Sequence, residues 1–488
     1  MPGHKRQAPA GVSLPYEIDI TEIEGFDDLH HADGVLRDAQ QLAAKVYGAE
    51  ETRYLVNGST AGILSAVLGS TDKGDRILVA RHCHKSVYHA IYLNELKPVY
   101  LYPEFNSGLH MNMDISVSAV RTALMECPDI RAVVIVSPTY DGVISDIRGI
   151  AEVVHNYGIP LIVDEAHGAH LGFHPYFEPN ALAKGADIVI HSVHKTLPSL
   201  TQTALLHMQG ELVQKRRIFR YLDMLQSSSP SYILMASIDK CVHMLDEQGR
   251  ELFEPYVRML SGLRQSLGNL RCLRLLETER YDKSKLVISV HRLEMTGKEL
   301  YQILLERYHL QMEMAAGTYV IAMTSVNDSR EGFERLREAL FELDAELAKG
   351  SRGCAGIGKT NGTEKDRKSS VPGKKAAGGL PVNEQVMTCA EAFKSSDGQS
   401  GIKLLSWEKA VGRISAEYAY LYPPGSPLIV PGERVSPETA ELLMQYREAG
   451  FSIEGLETDG HIKVLREDAG DREENPAGYT ENEVLTDG

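Results

Sequence analysis

The sequence predicts an α/β protein in which a mostly parallel sheet is covered by helices on both faces. Two patterns and the composition point there. Between about residues 50 and 210, short β-rich runs alternate with helix-length stretches, and each run closes on a polar or glycine-containing turn. The chain is 43% hydrophobic over 488 residues, enough for a sizeable core and room for about three domains.

In order, strands are expected at 53–56, 76–80, 98–102, 132–136, 160–163, 188–190 and 203–207, with helices such as 61–68, 117–126 and 147–157 between them. Residues 211–350 are mainly helical by periodicity, with strand-like runs at 285–291 and 318–323 and a charged amphipathic helix at 331–349. Residues 350–380 change character, with seven basic residues, two acidic and almost no apolar content, and read as a flexible linker. Apolar patterning returns over about 381–466, with a turn-rich stretch at 420–431 and a helix at 436–449 that has Ser436 as its cap and Pro437 in its first turn. The last segment, 467–488, holds eight acidic residues and one basic and reads as a disordered tail. The expected organisation is an N-terminal segment (1–30), a large domain (31–225), a helical small-domain region (226–349), the linker, a C-terminal domain and the tail.

Net charge is −16, from 67 acidic and 51 basic residues, which disfavours nucleic acid as a main partner. Six scattered cysteines without a C-x-x-C pair suggest free thiols in a reducing compartment and no metal site. No apolar run reaches the length of a membrane span and no signal peptide is visible, so a cytoplasmic protein is expected.

In parallel sheets ligands bind beyond the carboxyl ends of the strands, so the residues there matter most. Asn57-Gly58-Ser59-Thr60 stands between a strand and a helix. Its small residues and two hydroxyls suit an anion at a helix N-terminus, although the same residues also serve as an ordinary cap. Asp164-Glu165-Ala166-His167 follows an apolar strand, where an acid either caps the next turn or answers a cation. Ser192-Val193-His194-Lys195 follows another. Most lysines are solvated, but a half-buried one has a lowered pKa and can form an imine. His84, in Arg81-His82-Cys83-His84-Lys85-Ser86, adds an imidazole at a fourth strand end. An anion cradle, an acid and a lysine at the ends of one sheet suit pyridoxal 5'-phosphate, which needs its phosphate held, its ring nitrogen protonated and its aldehyde bound as a Schiff base. His84 is then the candidate to stack on the ring.

A competing pattern is Gly353-Cys354-Ala355-Gly356-Ile357-Gly358-Lys359-Thr360, which matches a phosphate-binding P-loop, with Asp164-Glu165-Ala166-His167 resembling a Walker-B box. Its context is wrong for a nucleotide hydrolase. A charged helix precedes it, a polar run follows it, and it lies after the acidic box.

Ser192-Val193-His194-Lys195-Thr196-Leu197-Pro198, followed by Thr201-Gln202-Thr203-Ala204, resembles the cofactor-lysine signature of the bacterial ornithine/lysine/arginine decarboxylases. The resemblance extends through the four strand-end motifs, Pro138-Thr139-Tyr140-Asp141-Gly142, Pro2-Gly3-His4-Lys5, and Gly412-Arg413-Ile414-Ser415-Ala416-Glu417 with Tyr422-Pro423-Pro424-Gly425. It implies a fold-type-I pyridoxal-phosphate enzyme in compact form, without the N-terminal wing domain of the large members. It also implies a homodimer and α-decarboxylation of a basic amino acid in polyamine biosynthesis. Arginine is favoured over lysine and ornithine because compact members are often arginine decarboxylases. Carried onto this chain, Lys195 binds the aldehyde, Asp164 pairs with the ring nitrogen, His84 stacks, Ser59, Thr60 and Ser192 hold the phosphate beside Gly58 and His194, and His167 sits near the ring hydroxyl. The chain begins almost inside the Pro-Gly-His-Lys motif, where the family has a further helix, which reads as a misassigned start codon or a truncation. A silent relative or an aminotransferase-like chemistry are the alternatives.

Overall fold

The computed structural model of the chain describes residues 15–350, 379–396, 401–421 and 425–466. The Pro2–Lys5 motif, the P-loop-like 353–360, most of the linker, 422–424 and the acidic tail lie outside the described residues.

In chain order the strands of the first half are β1 (Glu51–Leu55), β2 (Arg76–Ala80), β3 (Lys97–Leu101), the short hairpin arms β4 (Phe105–Asn106) and β5 (Met111–Asn112), β6 (Ile130–Val136), β7 (Leu161–Asp164), β8 (Ile188–His191) and β9 (Ala204–Met208). Seven of them form the central sheet in the order β1-β9-β8-β7-β6-β2-β3. Strands β3, β2, β6, β7 and β8 pair in parallel, while β9 is antiparallel to both β8 and β1. The sheet is therefore mostly parallel, as expected. Its exception follows the connection: the only helix between β8 and β9 is the one-turn Val193–Thr196, too short to carry the chain back along the sheet as a parallel crossover does. The carboxyl ends of β1, β2, β6, β7 and β8 consequently share one edge.

The helices form where capping and periodicity coincide. Ser116 Oγ accepts from Ala119 N at 3.2 Å and opens Val117–Glu126, while Asp146 Oδ1 accepts from Gly149 N at 3.2 Å and opens Ile147–His155. Each such cap is worth about 1 kcal/mol. The helix Gly58–Ser70 is apolar almost all round because it is sandwiched between the sheet and the helix Lys215–Leu225. A Cβ on Gly69 would stand 2.9 Å from the backbone of Ile218, so only glycine allows this approach.

After the long helix Tyr232–Leu267, the strands β10 (Arg274–Leu276), β11 (Lys285–Ser289), β12 (Met314–Ala315) and β13 (Tyr319–Met323) form an antiparallel sheet in the order β10-β11-β13-β12. The turn before β11 is tied to the loop after β6: Asp282 N donates to Gly142 O at 2.8 Å and Ile144 N to Arg280 O at 3.2 Å. These bonds bring the head of β11 under the carboxyl edge of the central sheet.

The C-terminal part has its own core around Trp407, Leu428, Ile429 and Leu443. Strand Ile402–Ser406 pairs with His461–Leu465, and the helix Pro437–Glu448 is capped by Ser436 as expected. The stretch expected to be only turn-rich holds a hairpin, Ala419–Leu421 with Ser426–Ile429. Its prolines and glycines obscure the alternation in the sequence, yet Ser426–Ile429 is buried throughout. Cys83, Cys127, Cys241 and Cys389 are free thiols as expected; Cys272 departs from that expectation and is disulfide-bonded.

A fully buried ion pair fastens this part to the central sheet. Arg81, directly after β2, donates Nη1–H to Glu433 Oε1 at 2.7 Å and Nη2–H to Oε2 at 2.9 Å, and neither side chain has exposed surface. The guanidinium also lies 4.8 Å from the Tyr100 ring centroid, and Glu433 accepts further from Val430 N and Asn383 Nδ2. Removing one member leaves the other charge buried alone, so Glu433→Gln should lower the unfolding free energy by about 3–5 kcal/mol. Urea denaturation measures this, and a loss below about 1 kcal/mol would mean the pair does not hold the two parts together.

Candidate active site

A cavity of about 310 Å³ opens at the shared strand edge. Ser59, His84, Asp164, His167 and Lys195 line it on the central-sheet side; Tyr140, Glu313 and Tyr319 line it on the side of the second sheet. Residues of the C-terminal part, among them Ser426, Leu428 and Tyr446, close it.

Asp164 is the last residue of β7 and is 2% exposed. Its Oδ1 accepts from Ala166 N at 3.1 Å. Burial pushes its pKa up while Lys195 pulls it down, so the carboxylate needs a cation in front of it to remain ionised. Lys195 lies in the short helix after β8. Its pKa is lowered by burial, against the pull of Asp164 and Glu313, which favours the uncharged, nucleophilic amine. Its Nζ is 3.0 Å from His167 Nε2. His167 is buried, and burial together with Lys195 and Lys285 holds its pKa well below the ordinary value. His84 caps the helix Lys85–Leu93, with Nδ1 2.9 Å from Ser86 Oγ. Burial, with a smaller push from Lys195, takes its pKa down to about 4, so at neutral pH it presents an uncharged ring to the cavity.

Ser59 and Ser192 meet hydroxyl to hydroxyl at 2.9 Å beside the N-terminus of Gly58–Ser70. The Asn57 side chain makes no capping bond to that helix. Ser192 spends its O–H on Ser59, which leaves the Ser59 O–H to donate beside the helix's first N–H groups, a set that suits a phosphate. This donor set, with an acid and an amine in one cavity, fits pyridoxal phosphate.

Comparisons with known proteins agree. The profile described as "Orn/Lys/Arg decarboxylase, major domain" matches residues 13–329, and the corresponding C-terminal-domain profile matches 375–472. The chain belongs to the Orn/Lys/Arg decarboxylase family. It is 31% identical over 484 residues to an arginine decarboxylase of Bacillus subtilis, covering 96% of this chain and 94% of that protein. It is 24% identical to the constitutive lysine decarboxylase of Escherichia coli, over 94% of this chain and 74% of that one. Among solved structures, a lysine decarboxylase of Francisella novicida superposes with a TM-score of 0.77 at 18% identity, covering 92% of this chain and 75% of that one. The fold is thus that of the pyridoxal-phosphate-dependent decarboxylases, and the enzyme is an amino-acid decarboxylase.

Not every sequence-predicted residue of the decarboxylase reaches the cavity wall. Ser192 acts through Ser59, Thr60 is exposed, and Gly58 serves the turn with φ +74°. His194 turns away, its Nδ1 2.8 Å from Thr203 O. Sequence reasoning assigned no role to Tyr140 or Asp141, although it noted their motif, and it missed His82, Lys285, Glu313 and Tyr319. A lysine heading the apolar run of β11 was the one available signal for Lys285, since a charge there has to be answered.

The Walker-B resemblance dissolves in the geometry. Glu165 points away from the cavity: its Oε2 is 2.7 Å from His191 Nε2, and both its carboxylate oxygens accept from Ala181 N. No helix among the described residues is long and apolar enough to cross a membrane.

His82 is half-buried at the cavity wall, and burial lowers its pKa to about 4. Because the unfolded chain binds these protons near the ordinary histidine value of 6.5 and the folded one does not, His82 and His84 contribute stability that is full above about pH 6.5 and is lost as pH falls toward 4. Urea unfolding at a series of pH values should show this decline, and His82→Asn should flatten part of it. A wild-type profile flat over that interval would refute the neutral-ring assignment.

Proposed function

We propose that this decarboxylase removes the α-carboxylate of arginine with pyridoxal 5'-phosphate, yielding agmatine and CO2. The carrying observation is that Lys195 and Asp164 follow the adjacent strands β8 and β7 and line the same cavity. When bound, the cofactor's ring accepts the electron pair left as CO2 departs.

The chain's own residues do the rest. Lys195 Nζ would hold the cofactor aldehyde, and the same nitrogen, when released, would stand where it can pass a proton to Cα. Asp164 keeps a proton on the ring nitrogen; its buried carboxylate lacks a full counter-charge until that cation arrives. His84, uncharged, offers a flat face to the ring. Ser59, Ser192 and the N-terminus of Gly58–Ser70 hold the phosphate, with Gly58, Thr60 and His194 shaping that turn. His167 stands beside the lysine and the position of the ring hydroxyl.

The substrate's distal cation needs an acid across the cavity from Lys195. Glu313 lines that side, on the strand edge of the second sheet, with Tyr140 Oη donating to its Oε1. Arginine is favoured because the Bacillus arginine decarboxylase is the more similar relative, at 31% against 24% for the lysine enzyme.

Four measurements test the assignment. The purified protein should show a visible absorbance band that Lys195→Ala abolishes, and amine analysis should find agmatine when arginine, lysine and ornithine are offered separately. Asp164→Asn should fold normally yet lose at least about 100-fold in kcat, because the ring nitrogen loses its counter-charge. Glu313→Gln should raise KM for arginine by about tenfold or more, a charge-assisted contact being worth about 1.5–3 kcal/mol. Near-normal kcat in Asp164→Asn would overturn the electron-sink role.

A further inference from the structure

The imidazole of His167 is held between two amines. Its Nε2 is 3.0 Å from Lys195 Nζ, and its Nδ1 is 3.2 Å from Lys285 Nζ. Lys285 heads β11 and has no exposed surface; the turn bonded to Gly142 places it there. An ammonium group only donates, and a neutral imidazole has one N–H and one lone pair. Both contacts are hydrogen bonds at once only if one lysine donates to the ring and the other receives the ring's N–H on a free amine lone pair.

The surroundings decide which. Lys285 Nζ is 3.8 Å from Asp282 Oδ2, and Asp282 is fully buried and already bonded through Oδ1 to His170 Nε2 at 3.0 Å and to Ser284 N at 3.0 Å. Asp141 and Glu313 also favour a charge on Lys285. Lys195 is drawn by Asp164 and Glu313 from farther off and has no ion pair within 4.0 Å among the described residues. The other titratable groups around His167 are Tyr140, whose ring centroid lies 4.7 Å from that of His167, and His84, with a weaker influence from His194 although that ring is turned onto Thr203 O. The charge therefore belongs on Lys285 and the lone pair on Lys195.

We propose that Lys285 is a positioning residue: as the ammonium partner of Asp282 it donates to His167 Nδ1, fixes that ring as the Nε2–H tautomer, and so keeps the Lys195 nitrogen an uncharged amine ready to add to an aldehyde. The use made of that amine rests on the cofactor assignment above. In the step it prepares, the amine lone pair bonds to the aldehyde carbon, and the amine's two protons leave with the carbonyl oxygen as water, with no change in oxidation state. Without Lys285, His167 can turn its lone pair toward Lys195 and accept from the ammonium form.

The test uses the full chain stripped of aldehyde and needs no turnover. Trace acetylation with acetic anhydride over roughly pH 6 to 11, followed by peptide mass spectrometry, gives the pH at which the Lys195 amine becomes reactive. That midpoint should rise by about one pH unit or more in Lys285→Met. In a His167→Gln background the same substitution should move it by less than half as much, because the intermediary is gone. Nitrogen-15 spectra of the wild-type protein, with His167 assigned by loss of its signals in His167→Gln, should show an unprotonated Nδ1 and a protonated Nε2. An unchanged or lower midpoint in Lys285→Met, a full-sized shift in the His167→Gln background, or a wild-type ring protonated at Nδ1 would each overturn the proposal. The spectra decide the matter even if Lys285→Met does not fold. Expected outcomes here in a protein that develops no visible band with pyridoxal phosphate would count against the cofactor assignment alone.

Discussion

Ionisable groups crowd into a largely enclosed crevice at the carboxyl edge of the sheet, and most of the site's chemistry follows from how they share charge there. Asp164 is raised by burial, Lys195 and Lys285 are lowered by it, and His84 and His167 are kept neutral. In water these shifts would vanish, since each group would be solvated in its ordinary charged form. Burial makes Asp164 a demanding counter-ion and Lys195 a usable nucleophile. The parallel arrangement of β7 and β8 is what lets both arrive at the same edge from adjacent strands.

That burial depends on a cover made from a distant part of the chain. The C-terminal residues that close the cavity are carried on a unit with its own core, and the Arg81–Glu433 pair seats this unit directly beside the strand end that leads to His84. A bidentate guanidinium–carboxylate contact fixes orientation as well as position. An apolar patch of equal area would tolerate sliding; a buried fork does not. The charge pair is thus better suited to registering the cover over the site than to adding net stability, which buried pairs seldom do.

Much of this was legible in the chain. Alternating apolar runs gave the central sheet, and the helix at 117–126 fell where Ser116 and the apolar spacing placed it. Lys195, Asp164, His84 and Ser59 were readable because parallel strands deliver their following residues to one edge, so local motifs become a spatial cluster without further information. Lys285 and Glu313 were not, because they come from an antiparallel sheet and its margin, 90 or more residues beyond Lys195, and no local pattern says which edge such a sheet presents. The direction of β9 was likewise settled by the shortness of its connection rather than by its own residues. Thr60 and His194 show the opposite limit: a motif names several candidates, but helix geometry turns some of them outward.

The same strand end also shows why the site is rigid. Asp164 and Glu165 are neighbours and so face opposite ways. Asp164 enters the cavity, while Glu165 begins a buried chain that crosses the sheet: His191 Nε2 at 2.7 Å, His191 Nδ1 to His207 Nε2 at 3.0 Å, and His207 Nδ1 to Thr52 Oγ1 at 2.7 Å. Thr52, His207 and His191 belong to β1, β9 and β8, and Tyr47 packs its ring over both imidazoles. A slip of one residue in β7 would place Glu165 in the cavity and Asp164 among the histidines, breaking both arrangements together. The polar chain on one face therefore fixes the register that the catalytic face requires, and an Asp-Glu-Ala-His sequence that looks like a nucleotide-binding box is instead a carboxylate for the site followed by a carboxylate for the scaffold.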